Sequence, residues 1–271
     1  MQFGDLSLKR CRYGWMVYPG PLSPGPFIGK CLELYGQYSE GEVALMRAFL
    51  HEGDTVIDVG ANIGAFTVPM AQMVGDKGSV YAVESDPQTF NMLCANLALN
   101  GIRNTKPLNG FVATGEGAVA EVTNTTSGPV GNPSASAFLT LDSLELNACH
   151  FIKVDVDGGE LEVFRSGEMQ IERFRPILYF ENELRDKSVE LLRFVIDTLG
   201  YHLYFHPTPL FEPSNFFGNT VNHWAPTEFV SMMVLGVPAE RKLSIGLKRI
   251  TDPNDWWDFS VPVSSYFNLS H

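Results

Sequence analysis

Hydrophobic positions change their rhythm along this chain. Between about 40 and 50 they fall at Val43, Leu45, Met46, Phe49 and Leu50, the spacing of a helix with one apolar face. Ser39 stands before it as an N-cap, with Glu42 three residues on in capping-box position. After Asp54 short apolar runs take over: TVIDVG (55–60), SVYAVE (79–84), FIKVDV (151–156), PILYFE (176–181), YHLYF (201–205) and VSMMVLGV (230–237) read as strands. Helices are expected between them over 65–73, with Pro69 at a start or kink, from Asp86-Pro87 to Asn100-Gly101, near 161–164 and over 187–198. Residues 105–123 read as strand, turn and strand around Gly115 and Gly117. Such alternation predicts a mostly parallel sheet covered on both faces. Six prolines and glycines from Pro19 to Pro26 exclude a long helix there, so the first 40 residues are expected to be a short strand or loop preface. The polar piece 123–136 reads as a long loop.

Composition narrows the class. Hydrophobic residues make up 45% and charged residues 18%, which is globular and excludes disordered, collagen-like and coiled-coil chains. The net charge of −12 disfavours a nucleic-acid partner, whose phosphates need basic contacts. Cys11, Cys31, Cys94 and Cys149 are scattered without metal-finger spacing and read as reduced thiols. No run is long and apolar enough for a membrane span, and the first residues lack a signal-peptide core. A cytoplasmic protein is the expectation, and the sequons at Asn124 and Asn268 then carry no meaning.

The strongest chemical signal is IDVGANIGAFT (57–67). Asp58 and Gly60 end a strand, and Gly60 and Gly64 frame a tight turn into a helix, where glycine lets backbone approach a ligand. A dinucleotide turn would read G-x-G-x-x-G, but Asn62 and Ala65 stand at its second and third glycines. The G-x-x-x-G turn after an acidic strand residue is instead the pattern of Rossmann-like S-adenosylmethionine enzymes. Glu84, at the next strand tip, suits both ribose hydroxyls. On this reading Asp58, Gly60, Ala61, Asn62, Gly64, Glu84, Ser85, Gly110, Phe111 and Asp155 hold the cofactor. Asn109 to Val112 should line the adenine pocket, with Phe111 stacking on the base or simply filling the core.

From about Leu34 to Pro238 the chain resembles the FkbM-type methyltransferases. The resemblance rests on YGQYSEGE, DTVIDVGANIGAFTVPMA, GSVYAVESDP, NMLCANLALN, FIKVDVDGGELEVFRSG, RPILYFEN, LGYHLYFH and NFFGNTVNH, in that order. Family members commonly read EP-x-P at Glu84-Ser85-Asp86-Pro87 and DVEG at Asp155-Val156-Asp157-Gly158, so Asp157 is one methylene shorter than the usual glutamate. The resemblance implies a class I fold of seven strands in the order 3-2-1-4-5-7-6. It also implies methyl transfer to an oxygen of a sugar or secondary metabolite. The chain then divides into an N-terminal cover (1–50), a catalytic domain (51–238) and a C-terminal tail (239–271).

A neutral hydroxyl needs a base or a metal to become a nucleophile. Asp155, Glu181 and His202 are the expected catalytic residues, with Asp157, Glu160 and His206 as further candidates. Each has a plain alternative. Asp155 can bind the donor's amino group, Asp157 can cap a helix boxed by Glu160, Glu181 can pair with Lys153 or Arg185, and the histidines can be packing residues. Asp155, Glu181 and Asn182 also match the oxygen-ligand set of catechol-type enzymes, but a divalent metal is the less favoured alternative. Tyr204, Phe211, Phe216, Phe217 and Trp224 are expected to stack on an acceptor, in a stretch with too many prolines for regular structure. The expected function is O-methylation of a small molecule, with a homo-oligomer left open. N-methylation and a cofactor-binding protein without turnover are the rivals, and an RNA ribose methyltransferase is disfavoured by charge.

Overall fold

A computed structural model describes residues 2–3, 5–20, 27–114, 137–225 and 230–267. The expectations for 115–123, for the loop 123–136 and for both sequons lie outside those residues.

The N-terminal preface is more regular than expected. Strands β1 (Gln2–Phe3), β2 (Leu6–Cys11) and β3 (Gly14–Pro19) form a small antiparallel sheet, followed by helices α1 (Phe27–Tyr35) and α2 (Glu40–Phe49). The chain then alternates through β4 (Thr55–Val59), α3 (Thr67–Val74), β5 (Ser79–Glu84), α4 (Pro87–Leu99), β6 (Thr105–Val112) and β7 (Ala137–Leu139). It continues through β8 (Phe151–Val154), α5 (Glu160–Arg165), α6 (Glu168–Phe174), β9 (Ile177–Glu181), α7 (Arg185–Arg193), β10 (Tyr201–Pro209), β11 (Val230–Pro238) and β12 (Arg249–Ile250). Asp86 caps α4 by accepting from the Thr89 amide at 2.7 Å, and Pro87 takes the first turn, where no amide is missed. Pro69 is likewise tolerated in the first turn of α3. Helix α6 was not anticipated, and the helix expected over 187–198 is α7 continued by a π-helical turn over Phe194–Thr198.

The main sheet, among the described residues, has nine strands in the order β12-β10-β11-β9-β8-β4-β5-β6-β7. Without the short edge strands β12 and β7, this is the expected seven-strand order. Strands β4, β5, β6, β8 and β9 run parallel, and β11 lies antiparallel between β9 and β10. Strand β10 continues through Pro207 and Pro209, where regular structure was not expected. Past Phe205, whose amide donates to the Lys248 carbonyl, β11 is its one strand partner among the described residues, so the prolines sit on an edge. One face packs Val56, Phe151, Ile177 and Tyr179 under α2 and α3 through Val43, Met46, Phe66 and Met70. The other packs Ile152, Leu178 and Phe180 against Phe164, Ile171 and Leu191 of α5–α7 and against Trp257.

The small N-terminal sheet docks on α4 through two side-chain amides. Asn96 accepts from the Val17 amide at 2.6 Å and donates to the Val17 carbonyl at 2.9 Å, while Asn100 treats Trp15 the same way at 2.8 and 2.7 Å. Each amide completes β3 as a neighbouring strand would.

Candidate functional site

The parallel strands end on one cavity of about 690 Å³, within the range of small-molecule sites. Its first half is built from turns. Gly60 leaves β4 at φ +76°, and a Cβ there would stand 1.8 Å from the Asp155 carbonyl oxygen. Only glycine fits. The Gly60 and Ala61 amides both donate to the Val83 carbonyl, at 3.0 and 2.9 Å, which ties the turn to β5. Asn62 follows at φ +50°.

Glu84 closes this half. Its two carboxylate oxygens accept from the Asn62 and Asp86 amides, each at 2.8 Å, and burial pushes its carboxyl above the usual range. Asn109 donates to the Glu84 carbonyl at 2.8 Å and fixes the tip of β5 against β6. Of the expected cofactor residues, Gly60, Ala61, Asn62, Glu84, Ser85, Gly110, Phe111 and Asp155 line the cavity. Phe111 is 49% exposed rather than in the core.

Two expected cofactor residues do something else. Asp58 is fully buried beneath the cavity, not on its wall: it accepts from Thr67 Oγ1 at 2.7 Å and pairs with Lys153 Nζ at 3.2 Å. Gly64 turns the chain at φ +88° so that α4 can approach, since a Cβ would meet Leu93 Cδ1 at 2.9 Å. Ala65 and Phe66, one turn further, reach the wall instead.

The second half is built from side chains. Asp155 faces the cavity with its side chain 31% exposed, held 3.5 Å from Lys153 Nζ. Lys153 is 1% exposed, also touches the Gly60 carbonyl at 3.3 Å, and lies over the Phe66 ring at 5.3 Å. Its acidic neighbours hold its ammonium above the ordinary range. Glu181 lines the cavity from the end of the neighbouring strand β9. Burial first, then Asp155, Glu183, Glu160 and Asp157, push its carboxyl up to about 9. Carboxylate oxygens of Asp157, Glu181 and Glu183 lie within 4.8 Å of one another, a set that could take a divalent cation. The set anticipated with Asn182 does not assemble. Asn182, just past β9, does not line the cavity; its backbone carbonyl accepts from Trp257 Nε1 at 2.7 Å.

Other expectations need correction. Asp157 does not cap α5: it sits at φ +52° on the cavity wall, and Gly159 takes the cap position. Glu160 bends back and accepts from the Val156 and Gly158 amides at 3.2 and 3.0 Å, bracing that turn. Ser39 takes the N-cap position of α2 at φ +42° but makes no capping bond; its hydroxyl donates to Glu42 Oε1 at 2.7 Å. His202 pairs with Val237 at the entry of β10, level with the start of β9 and away from the cavity edge. His206 is nearer the edge, but burial lowers its ring to about 4, and Nδ1 lies 2.8 Å from Tyr179 Oη. Neither histidine lines the cavity.

The aromatic stretch serves the N-terminal cover. Trp224 packs 5.4 Å from Phe27 and Phe211 5.5 Å from Tyr35, while Leu210 alone of that stretch reaches the cavity. The wall is completed by Phe27, Ile28 and Tyr38 from the cover and by Ser231 and Met232 from β11, none of which was anticipated. The Lys153 signal was present: a lysine within an otherwise apolar strand asks for a buried partner.

Comparison with known proteins follows this geometry. Residues 58–204, just over half of the chain, match the model of the methyltransferase FkbM domain. The probable cobalt-precorrin-6B C(15)-methyltransferase (decarboxylating) of Sulfolobus acidocaldarius is 38% identical over 68 residues, 25% of this chain and 35% of that protein. The tRNA(Phe) (4-demethylwyosine(37)-C(7)) aminocarboxypropyltransferase of Methanocaldococcus jannaschii is 36% identical over 74 residues, 26% of this chain and 29% of that protein. The chain thus spans about a third of these curated relatives. A solved methyltransferase FkbM from Methylobacillus flagellatus aligns with a TM-score of 0.48 at 16% identity, covering 68% of this chain and 43% of that one. With the turn at Gly60, the acid at Glu84 and the strand order in place, the family match settles the class: the chain belongs to the FkbM methyltransferase domain family, of the Rossmann-like fold that uses S-adenosylmethionine.

Proposed function

We propose that the protein is an O-methyltransferase that moves the methyl group of S-adenosylmethionine to a hydroxyl of a sugar or secondary-metabolite small molecule. The observation that carries the reading is Asp155: a carboxylate between the donor turn and the acceptor wall, kept beside the Lys153 ammonium. The Gly60–Asn62 turn would lie along the methionine part of the donor, Glu84 at the ribose, and Gly110 and Phe111 at the adenine. The donor supplies an electrophilic methyl group. The acceptor oxygen forms a bond to that carbon as the carbon–sulfur bond breaks, and the hydroxyl proton passes to a base. Asp155 suits this role by its place: it faces the cavity and is held 3.5 Å from the Lys153 ammonium. Glu181, raised to about 9, holds its proton there and serves as a donor to the acceptor's oxygens.

A second reading is N-methylation of an amine, favoured by the acidic wall of Asp157, Glu181 and Glu183. The experiment is calorimetry with S-adenosylmethionine, followed by a screen of sugar and polyketide alcohols and amines with radiolabelled donor. Saturable donor binding with label on alcohols supports the proposal. Label on amines alone supports the second reading, and no label on any acceptor would favour a binding protein without turnover. On a labelled alcohol, Asp155→Asn should keep donor affinity within about tenfold and lose ~10²–10⁴-fold in turnover. Turnover that survives excess EDTA rejects a required metal.

A further inference from the structure

Beneath the methyl-transfer edge lies a row of polar groups that the proposed chemistry leaves idle. Asp58, Lys153 and Tyr179 are register neighbours on β4, β8 and β9, on the face that α2 covers. The first turn of α2 sets Glu42 over this row, 1% exposed. Its Oε1 accepts from Ser39; its Oε2 has no partner of good hydrogen-bond geometry among the described residues, although the Ser231 and Tyr179 hydroxyls face the same carboxylate. A carboxylate so placed is costly unless a cation compensates it. The ammonium at hand is Lys153, which Asp58 and Asp155 already hold. Three acids share one ammonium.

We propose that Glu42 is a positioning residue of the donor site: by competing for Lys153 from the N-terminal helix, its charge sets how freely Asp155 can meet a cation entering the cavity. This rests on the reading above, in which the positively charged donor docks beside Asp155. The groups facing Glu42 fit the role. Lys153 comes from β8, Asp155 from the turn after it, Tyr179 from β9 and Ser231 from β11. Tyr38 and Ser39 come from its own segment, Asp58 lies behind Lys153, and Thr208 of β10 packs on Gly41. His206, beyond Tyr179, stays neutral because burial lowers its ring to about 4. Burial pushes Glu42 up to about 7, the Ser39 and Ser231 hydroxyls pull it down, and Asp155 and Lys153 oppose one another. A cation arriving at Asp155 favours ionised Glu42, so binding should expel a proton near neutrality.

The test is titration calorimetry with S-adenosylmethionine between pH 6 and 9, in buffers of different ionisation enthalpy. Wild type should release a fraction of a proton near pH 7 and bind about threefold or more tighter at pH 8 than at pH 6. Glu42→Gln should lose both effects, and Glu42→Asp should keep them. Ser39→Ala removes the hydroxyl that favours the charged form, so it should move the inflection to higher pH; it carries the test if Glu42→Gln fails to fold. Glu181→Gln should leave the neutral inflection in place, since that group titrates near 9. A Glu42→Gln protein with the wild-type pH dependence, or a wild type that binds without releasing a proton, overturns the role of Glu42 alone. A wild type that does not bind the donor overturns the reading of the whole site, and this role with it.

Discussion

The two halves of the cavity are made of different material. The donor half is backbone: the turn after β4 and the tip of β5, held by amide–carbonyl and amide–carboxylate bonds within one local stretch. The acceptor half is side chains, drawn from the N-terminal cover, the turn after β8, the end of β9 and the β10–β11 hairpin. A backbone half tolerates little change because its shape is its function. A side-chain half can be rebuilt residue by residue, so on the proposed reading it is where acceptor choice would reside.

The sharpest way to break the contrast is Gly60→Ala. The added methyl would collide with the Asp155 carbonyl oxygen at a positive φ, so about 2–3 kcal/mol of strain is expected. Calorimetry should then show donor affinity down roughly 30-fold or more; affinity within twofold of wild type would mean that the turn is not the cradle. Glu84→Ala comes next. Loss of a charge-assisted partner to the ribose should weaken donor binding about tenfold, near 1.4 kcal/mol. Unchanged affinity would leave Glu84 as a brace for the Asn62 and Asp86 amides only.

Glu181→Gln probes the acceptor half through stability. Burial and four neighbouring acids raise the folded-state carboxyl to about 9, whereas the unfolded chain ionises near the ordinary 4.5. The folded state therefore loses stability as pH rises from about 4.5 toward 9. Glutamine removes that penalty, so the variant should be about 1 kcal/mol or more stabler than wild type at pH 8 and closer to it at pH 5. Thermal melts at both pH values check this, and equal melting at pH 8 would show that Glu181 is not strained there. The smallest effect belongs to His202→Ala. Placed at the entry of β10, it should change donor affinity and turnover less than about twofold.

Legibility in the sequence follows the same division. Gly60 and Glu84 were readable because each is tied to a local pattern, a turn after a β-branched run and an acid at a strand tip; the alternation of strands and helices predicts a mostly parallel sheet, whereas the strand order came only from the family resemblance. Gly64 was readable as essential but not for its reason, since packing on Leu93 needs α4 to be placed first. Tyr38, Ser231 and Met232 were not readable as wall residues, because nothing in their own spacing says which cavity they meet. His202 was misplaced because period-two reasoning gives a face of a strand but not the height along it. The prolines of 204–224 misled for a related reason: they disfavour a central strand, whereas this part of β10 is an edge.

Asn96 has a consequence for cutting the chain. Besides completing β3, its amide donates to the Ile63 carbonyl at 2.8 Å, so one buried side chain grips both the small N-terminal sheet and the turn beneath the donor. Trimming the first twenty residues would strip that amide of its Val17 partners and leave a polar group facing apolar neighbours, a loss of about 1–3 kcal/mol. A shortened version made for convenience would thus arrive with a loosened donor turn, although none of the removed residues belongs to it.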